Sequence, residues 1–551
     1  MHSNTTMNSS MLDFAEATPL PSHNALAGLC GTLFTIALYE FWFRNTHRFK
    51  TLKNMPGPTV WPLVGNAHLV AGLTNAQLMK KALIYLQHYG ETVRGVLGNV
   101  MLVFLTNPDD IEIILNSQQH LEKSEEYRFF KPWFGDGLLI SNGEHWRHHR
   151  RMIAPTFHQS ILKSFVPTFV EHSKRVVERM KQHMGKEFDV HDHMSQTTVE
   201  ILLTTAMGVK KLPENNESSR YAQAVVDMCD IIHKRQVHIF YRNDYIYRLT
   251  QMATRGDNYM RTILGLTKRV ITDRKVNFNV ETDGVLDAQQ DLESEKQNNV
   301  KKEAGLRDDL DDIDESDVGA KRRLALLDSM VEMSKNPEIE WNEKDIMDEV
   351  NTIMFEGHDT TSAGSSFVLC LLGIYPEIQE RVFEEQKEIF GDDMQRDVTF
   401  VDTLKMNYLE RVIKEALRLY PPVPIIARKV NQDVKLASGP YTIPKGTTVV
   451  LGQYAVHRRE DIYPNPNKFD PDNFLPERVS KRHYYSYIPF SAGPRSCVGR
   501  KYAMLMLKCL LSTILRKYYV QSKRKESDFK LQADIILKLE NGFKISLEER
   551  V

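Results

Sequence analysis

The chain has 551 residues, a formal net charge of −1 and 42% hydrophobic residues. A charge this close to zero leaves no basic footprint for nucleic acid, which is not expected as a partner. The five cysteines (Cys30, Cys229, Cys370, Cys497 and Cys509) are odd in number, scattered and free of any CxxC pair. That pattern argues against a disulfide framework or a zinc site, and for a reducing compartment around the main domain.

From the N-terminus, Ala25 to Tyr39 is apolar apart from Thr32 and Thr35, and Phe41-Trp42-Phe43 extends it past Glu40. Arg44, Arg48, Lys50 and Lys53 follow, while Asp13 and Glu16 precede. By the positive-inside rule the body faces the cytosol and the tail faces a lumen, and the short span suits the thin endoplasmic reticulum bilayer. A cleaved signal peptide is the alternative. It is disfavoured by the missing basic n-region and by the aromatic-then-basic flank. The predicted organisation is a lumenal tail over 1–24, a single-pass membrane anchor over 25–43, a basic and proline-rich hinge over 44–60 and one main domain over 61–551. Asn4-Thr5-Thr6 and Asn8-Ser9-Ser10 are glycosylation acceptors in the tail, and Met55-Pro56-Gly57-Pro58 reads as a stiff extended stretch.

Short β-rich runs are predicted at Thr92–Leu97 and Val100–Leu105, and helical periodicity dominates from about 110 to 280. The segment 278–318 reads as a solvated insertion: residues 281–317 hold 14 Asp/Glu against 4 Lys/Arg, a formal charge of −10. Helical spacing of Ile346, Val350, Ile353 and Met354 then predicts a long helix over Asp345–Ile374. Inside it, Phe355-Glu356-Gly357-His358-Asp359-Thr360-Thr361 places a glycine and two threonines where helices disfavour them. A local rule broken within a good helix points either to a functional site or to a polar cluster at a helix break.

Tyr408–Pro424 reads as an amphipathic helix stopped by Pro421-Pro422, with Glu415 and Arg418 on one face. Exposed, such a pair is worth a few tenths of a kcal/mol. The run Phe490-Ser491-Ala492-Gly493-Pro494-Arg495-Ser496-Cys497-Val498-Gly499 sets one cysteine on a Gly/Pro-rich loop directly before a helical pattern. A helix N-terminus and a nearby cation favour a thiolate, and Gly493 and Gly499 remove side chains where a flat ligand would approach the backbone. The bland alternative is a buried cysteine in a tight turn. Finally, Asn541-Gly542 predicts a two-residue hairpin within Ile535–Leu547. The fold class expected from these elements is mainly α with small β-sheets.

The positions of Phe490, Gly493, Arg495, Cys497 and Gly499 match the haem-ligand loop of the cytochromes P-450, and the chain is identified as a member of that family. Met354 to Thr361 looks like family 4. The runs Asp317–Leu324, Trp341–Val350 and His483–Phe490 resemble the insect subfamily G. The resemblance implies a P-450 fold holding haem b, with Cys497 as axial ligand to the iron. Thr360 and Asp359 would be the alcohol and acid that relay protons. Trp146, Arg150, Arg428 and Arg495 would reach the haem propionates, and Glu356 would be a candidate for an ester to a haem methyl or a plain carboxylate facing the pocket. Glu415 and Arg418 would lock the core behind the haem. Asn473 stands where most relatives carry the third, arginine, member of that lock, and Arg458, Arg459 or Arg478 are candidate substitutes.

Further implications are O2 as co-substrate and electrons from NADPH–cytochrome P-450 reductase, since no flavin or Rossmann fingerprint is present. An endoplasmic reticulum membrane location with a cytosolic catalytic domain is implied as well. Subfamily G points to oxidative decarbonylation of long-chain aldehydes to cuticular hydrocarbons. A fatty-acid or terpenoid hydroxylase is the alternative enzyme, and a catalytically silent haem-binding sensor the remote one. The acidic insertion is expected to lie away from the cysteine-side face, because it would repel an acidic reductase surface.

Overall fold

The computed structural model describes residues 23–212, 216–278, 324–339 and 341–550. The tail up to Ser22 with its two glycosylation acceptors, and the acidic insertion apart from Phe278, lie outside the described residues.

The chain divides into two units, Met1–Lys50 and Thr51–Val551. In the first, helix α1 (His23–Asn45) is 23 residues long, about 34 Å at the α-helical rise and enough for a ~30 Å hydrocarbon core. Leu29, Leu33, Phe34 and Leu38 stand exposed along it. The Thr32 and Thr35 hydroxyls donate to the Gly28 and Gly31 carbonyls at 2.8 Å, so neither needs water. The helix outruns the expected span of 25–43 because Glu40 and Arg44 pair at 2.9 Å across one turn.

The second unit is mostly helical. Its helices include α2 (Asn75–Tyr89), α3 (Gly143–Ile153), α4 (Val190–Thr204), α5 (Glu217–Val237), α6 (Glu343–Ile374), α7 (Asn407–Leu419) and α8 (Arg500–Lys517). The longest, α6, has 32 residues. It starts two residues before the expected Asp345 because Asn342 and Asp345 form a reciprocal capping box. Beyond its polar middle, Ala363, Phe367, Val368 and Leu369 are all fully buried. A helix apolar around its whole circumference has to lie in the core, and α6 packs against α4, α7 and α8.

Strands β1 (Thr92–Leu97), β2 (Val100–Leu105), β3 (Ile426–Lys429) and β4 (Thr448–Leu451) form one sheet in the order β1-β2-β4-β3. The two strands expected from the sequence are paired antiparallel with Leu97 opposite Val100. β2 runs parallel to β4, and Arg428 on β3 lies opposite Val449.

One expectation fails. Asn541-Gly542 does make a turn, with Gly542 at φ +75° and its N–H donating to the Leu539 carbonyl at 3.0 Å. The strands on either side do not pair with each other, however. β6 (Leu537–Leu539) pairs with β5 (Leu531–Ala533), whereas Lys544–Glu549 pairs with Phe188–Asp189 and Tyr518–Gln521. Alternating polarity marks a strand but cannot name its partner.

Candidate active site

The cysteine loop is held by its own backbone. The Cys497 N–H donates to the Phe490 carbonyl at 2.9 Å and the Ser496 N–H to Gly493 at 2.8 Å. Gly493 sits at φ +69°, and a Cβ there would stand 2.1 Å from the Leu115 carbonyl oxygen. Packing against neighbouring backbone therefore requires Gly493, a reason the sequence did not show. Gly499 does face the cavity, where an added Cβ would stand 4.0 Å from the Cys497 sulfur. Phe490 lines the same space.

That space is a cavity of about 660 Å³, with Cys497 on one wall and Glu356, Gly357, Thr360, Thr361 and Gly364 of α6 also lining it. Burial, followed by the charge of Glu356, pushes the Cys497 thiol up to about 11, against the Gly499 N–H, Arg150 and Arg500. The Gly499 N–H at the start of α8 and the charges of Arg150 and Arg500 favour the ionised sulfur, in the direction expected of a helix N-terminus and a nearby cation. The Arg495 guanidinium lies 4.3 Å over the Trp146 ring and donates to the Leu138 carbonyl at 3.4 Å and to Asn142 Oδ1 at 3.2 Å. Metal coordination at the sulfur would deprotonate the thiol outright.

Basic side chains gather on this cavity from separate elements: Arg150 from α3, Arg428 from β3, Arg495 from the cysteine loop and Lys123 from the loop before Ser124. Arg428 is 2% exposed, donates to the Ala427 carbonyl at 3.1 Å and is lowered by burial. Arg495 is lowered to about 9 by burial and then by Arg428. Lys123 is driven well below its ordinary value by burial, Arg428 and Arg495. Sequence reasoning missed Lys123, since an isolated loop lysine carries no spacing signal. Mutual repulsion among buried cations calls for an anionic occupant, and a ligand bearing two carboxylates suits it. With the ligand thiol opposite, the residues fit haem.

Glu356 is the acid that α6 presents to this basic set, and burial raises it to about 7 against Lys123 and Arg150. One turn on, the Thr360 hydroxyl donates to the Glu356 carbonyl at 2.6 Å and lines the cavity. Gly357 is required by α4, since a Cβ would come within 2.8 Å of Leu202.

Asp359 behaves differently from Thr360. It is fully buried behind the cavity wall, with its carboxylate 2.7 Å from Lys538 of β6. Burial raises its pKa, but Lys538 and His358 outweigh that and hold it below the ordinary carboxylate range. The neighbouring His358 bonds Ser195 at 2.7 Å and is pushed down to about 3 by burial.

Behind the cysteine loop, Glu415 and Arg418 of α7 are both fully buried and meet through two bonds of 2.7 Å. Arg418 also donates to the His457 and Pro466 carbonyls at 2.7 Å. Asn473 Nδ2 donates to Glu415 at 3.1 Å, beside the Asp470 N–H at 2.9 Å. A neutral amide therefore occupies the third position. Arg459 pairs with Asp461, Arg478 reaches Asp470 at 3.5 Å, and Arg458 stacks 3.7 Å over Tyr454.

Comparison with known proteins agrees with this geometry. Residues 55–547 match the family model described as Cytochrome P450. The chain is 69% identical to Cytochrome P450 4g1 of Drosophila melanogaster, covering 95% of this chain and 94% of that one. It is 46% identical to Cytochrome P450 4g15 of the same species over 94% and 96% of the two chains. Among solved structures, the heme domain of cytochrome P450DA aligns with a TM-score of 0.70 at 21% identity, covering 90% of this chain and 98% of that one. At that identity the likeness carries the fold.

Proposed function

This chain belongs to the cytochrome P450 family, within family 4 and its subfamily G, and from that membership we propose that it removes the carbonyl carbon of long-chain fatty aldehydes to yield cuticular hydrocarbons. It is a haem-thiolate monooxygenase that takes haem b, O2 and reductase-derived electrons. Bound through Cys497, haem supplies dioxygen activation, which the electron-rich thiolate favours. Trp146, Arg150, Arg428, Arg495 and Lys123 would bind and orient the propionates. Phe490 and Gly499 would lie beside the ring, and the Glu356 carboxyl, which lines the same cavity, would be available for an ester to a haem methyl. Thr360 holds a proton at the cavity wall, and Asp359 would replenish it after exchanging Lys538 for water.

The observation that supports a long-chain substrate is the lining of the cavity. Away from Cys497 it is walled by Leu78 and Leu86 of α2 and by Val93, Leu102 and Phe104 of the sheet. Such an apolar lining would exclude water and hold an alkyl tail, leaving the reacting end of the chain on the Cys497 side.

The helix α1 would anchor the protein in the endoplasmic reticulum membrane with the catalytic domain cytosolic. On the outer side of the cysteine loop, Lys414, Arg500 and Lys501 line a second cavity of about 340 Å³. They offer a basic surface to an acidic NADPH–cytochrome P450 reductase.

The decisive experiment incubates the membrane-bound enzyme with purified reductase, NADPH and a long-chain aldehyde. A hydrocarbon one carbon shorter is expected. A terminally hydroxylated product without hydrocarbon would overturn the reading in favour of a hydroxylase.

A further inference from the structure

Two i,i+4 pairs face each other where α3 passes the first turns of α6, on residues that the haem cavity does not use. His145 and His149 lie on α3, and Asp345 and Glu349 on α6. One ligand atom from each of His145, His149 and Asp345 lies within 4.8 Å of the others. The surrounding bonds assign the tautomers. His149 Nδ1–H donates to Glu349 Oε1 at 2.6 Å, which leaves Nε2 facing Asp345 Oδ1 at 4.0 Å. His145 Nε2 lies 3.0 Å from the Asp136 carbonyl, which can only accept, so its Nδ1 carries the lone pair.

Both carboxylates are themselves positioned. Asp345 spends one oxygen on the Asn342 N–H at 2.9 Å and keeps the other free, and Glu349 accepts the Leu138 N–H at 3.0 Å with its second oxygen. The buried Trp341 ring packs against His149 in a tilted pair with centroids 4.5 Å apart. A carboxylate that orients one imidazole nitrogen while the other faces a second carboxylate is the arrangement found around protein-bound divalent metals.

We propose that His145, His149 and Asp345 form a site for a first-row divalent cation of the Zn2+ class, with Glu349 orienting His149 and a solvent molecule completing a tetrahedral set. Two imidazole nitrogens and one carboxylate oxygen suit zinc, whose bonds of ~2.0–2.1 Å put ligand atoms about 3.4 Å apart. Nε2 of the buried His149 and Oδ1 of Asp345 stand 4.0 Å apart, and the exposed His145 ring would turn inward to complete the set. The cation would tie α3, which carries Trp146 and Arg150 to the cavity, to the start of α6. The cysteine pattern argues against a zinc site, and the proposed set departs from that expectation by using no thiolate; a histidine pair on a basic helix gives no comparable signal.

The test uses the full-length holoenzyme, stripped with a chelator that leaves haem in place and titrated with Zn2+ against a chromophoric chelator, with zinc and iron counted by elemental mass spectrometry. One zinc per haem iron is expected, with His145→Ala and Asp345→Asn each weakening binding at least 10-fold. Asp345→Asn keeps an oxygen for the Asn342 cap. Should that variant lose haem, the exposed His145→Ala decides alone. Absence of stoichiometric zinc would overturn the site. Undiminished affinity in His145→Ala would overturn it too, by placing the zinc elsewhere.

Discussion

Lys538 Nζ lies 2.7 Å from Asp359 Oδ1 and joins the C-terminal two-stranded sheet to the middle of the central helix. The carboxylate is fully buried and the lysine side chain 14% exposed. Removing one partner of such a pair leaves a buried charge uncompensated, typically at a cost of about 3–5 kcal/mol. Lys538→Met should lower stability toward urea by about that much, and Asp359→Asn should slow turnover by on the order of 100-fold. The pH profile separates the two roles. In the native protein Asp359 is held below 3.8, so the pair's contribution is complete above that value and lost as pH falls through the depressed one. In Lys538→Met, burial is opposed only by His358 and His191, so the depression should shrink and the loss of stability on acidification should weaken. An unchanged profile in the variant would mean that the pair does not form.

Glu356 gives a second titration. Its folded value of about 7 exceeds the ordinary 4.5, so the folded apoprotein binds the extra proton. Stability should therefore fall as pH rises from 4.5 to about 7 and be flat above, and Glu356→Gln should remove the slope. The same variant tests the ester. Acid extraction of the denatured holoenzyme should leave part of the haem attached to the wild-type chain and none to Glu356→Gln, as read by mass spectrometry.

Arg495 stacks on Trp146 as well as donating hydrogen bonds. Lysine cannot reproduce a planar, stacked fork. Arg495→Lys and Arg428→Ala should each lower the haem-to-protein ratio and raise the haem dissociation rate by roughly 10-fold. Loss of one charge-assisted bond, worth about 1.5–3 kcal/mol, is the physical basis.

The Glu415–Arg418–Asn473 cluster should divide by charge. Glu415→Ala leaves a fully buried guanidinium without its carboxylate, and a loss of about 3–5 kcal/mol together with failure to retain haem is expected. Asn473→Ala removes one neutral donor while the Asp470 N–H and Arg418 remain on Glu415, so a loss of about 1 kcal/mol is expected. Thermal melts of the two variants, read beside their haem spectra, check the ranking.

Cys497→Ala should abolish the thiolate-type ferrous carbonyl spectrum and all oxidative turnover. The side chain faces the cavity and supports little packing, so far-ultraviolet circular dichroism should stay native.

How much of this was legible follows from how each feature is encoded. Local rules reach as far as one element. Short β-rich runs marked β1 and β2, helical spacing marked α6 to within two residues, and the Gly/Pro-rich loop marked Cys497. Glu415 and Arg418 were visible as a pair because three residues along a helix bring them to one face. Burial alone made them a structural lock instead of a surface ion pair. Contacts between distant segments were not encoded locally. Nothing in Asn541-Gly542 could say that the strands beside it belong to different sheets, and nothing in Lys123 marked it as a wall of the cavity.

Asp359 and Thr360 show the division most clearly. Adjacent residues on a helix differ by about 100° in direction, so one faces the cavity and the other the core. The chain's own order determined that an acid and an alcohol stand side by side in mid-helix. Folding, by bringing β6 against α6, decided that the acid would be held by Lys538 on the far side of the wall, because a buried carboxylate takes whichever cation the surrounding packing brings within reach.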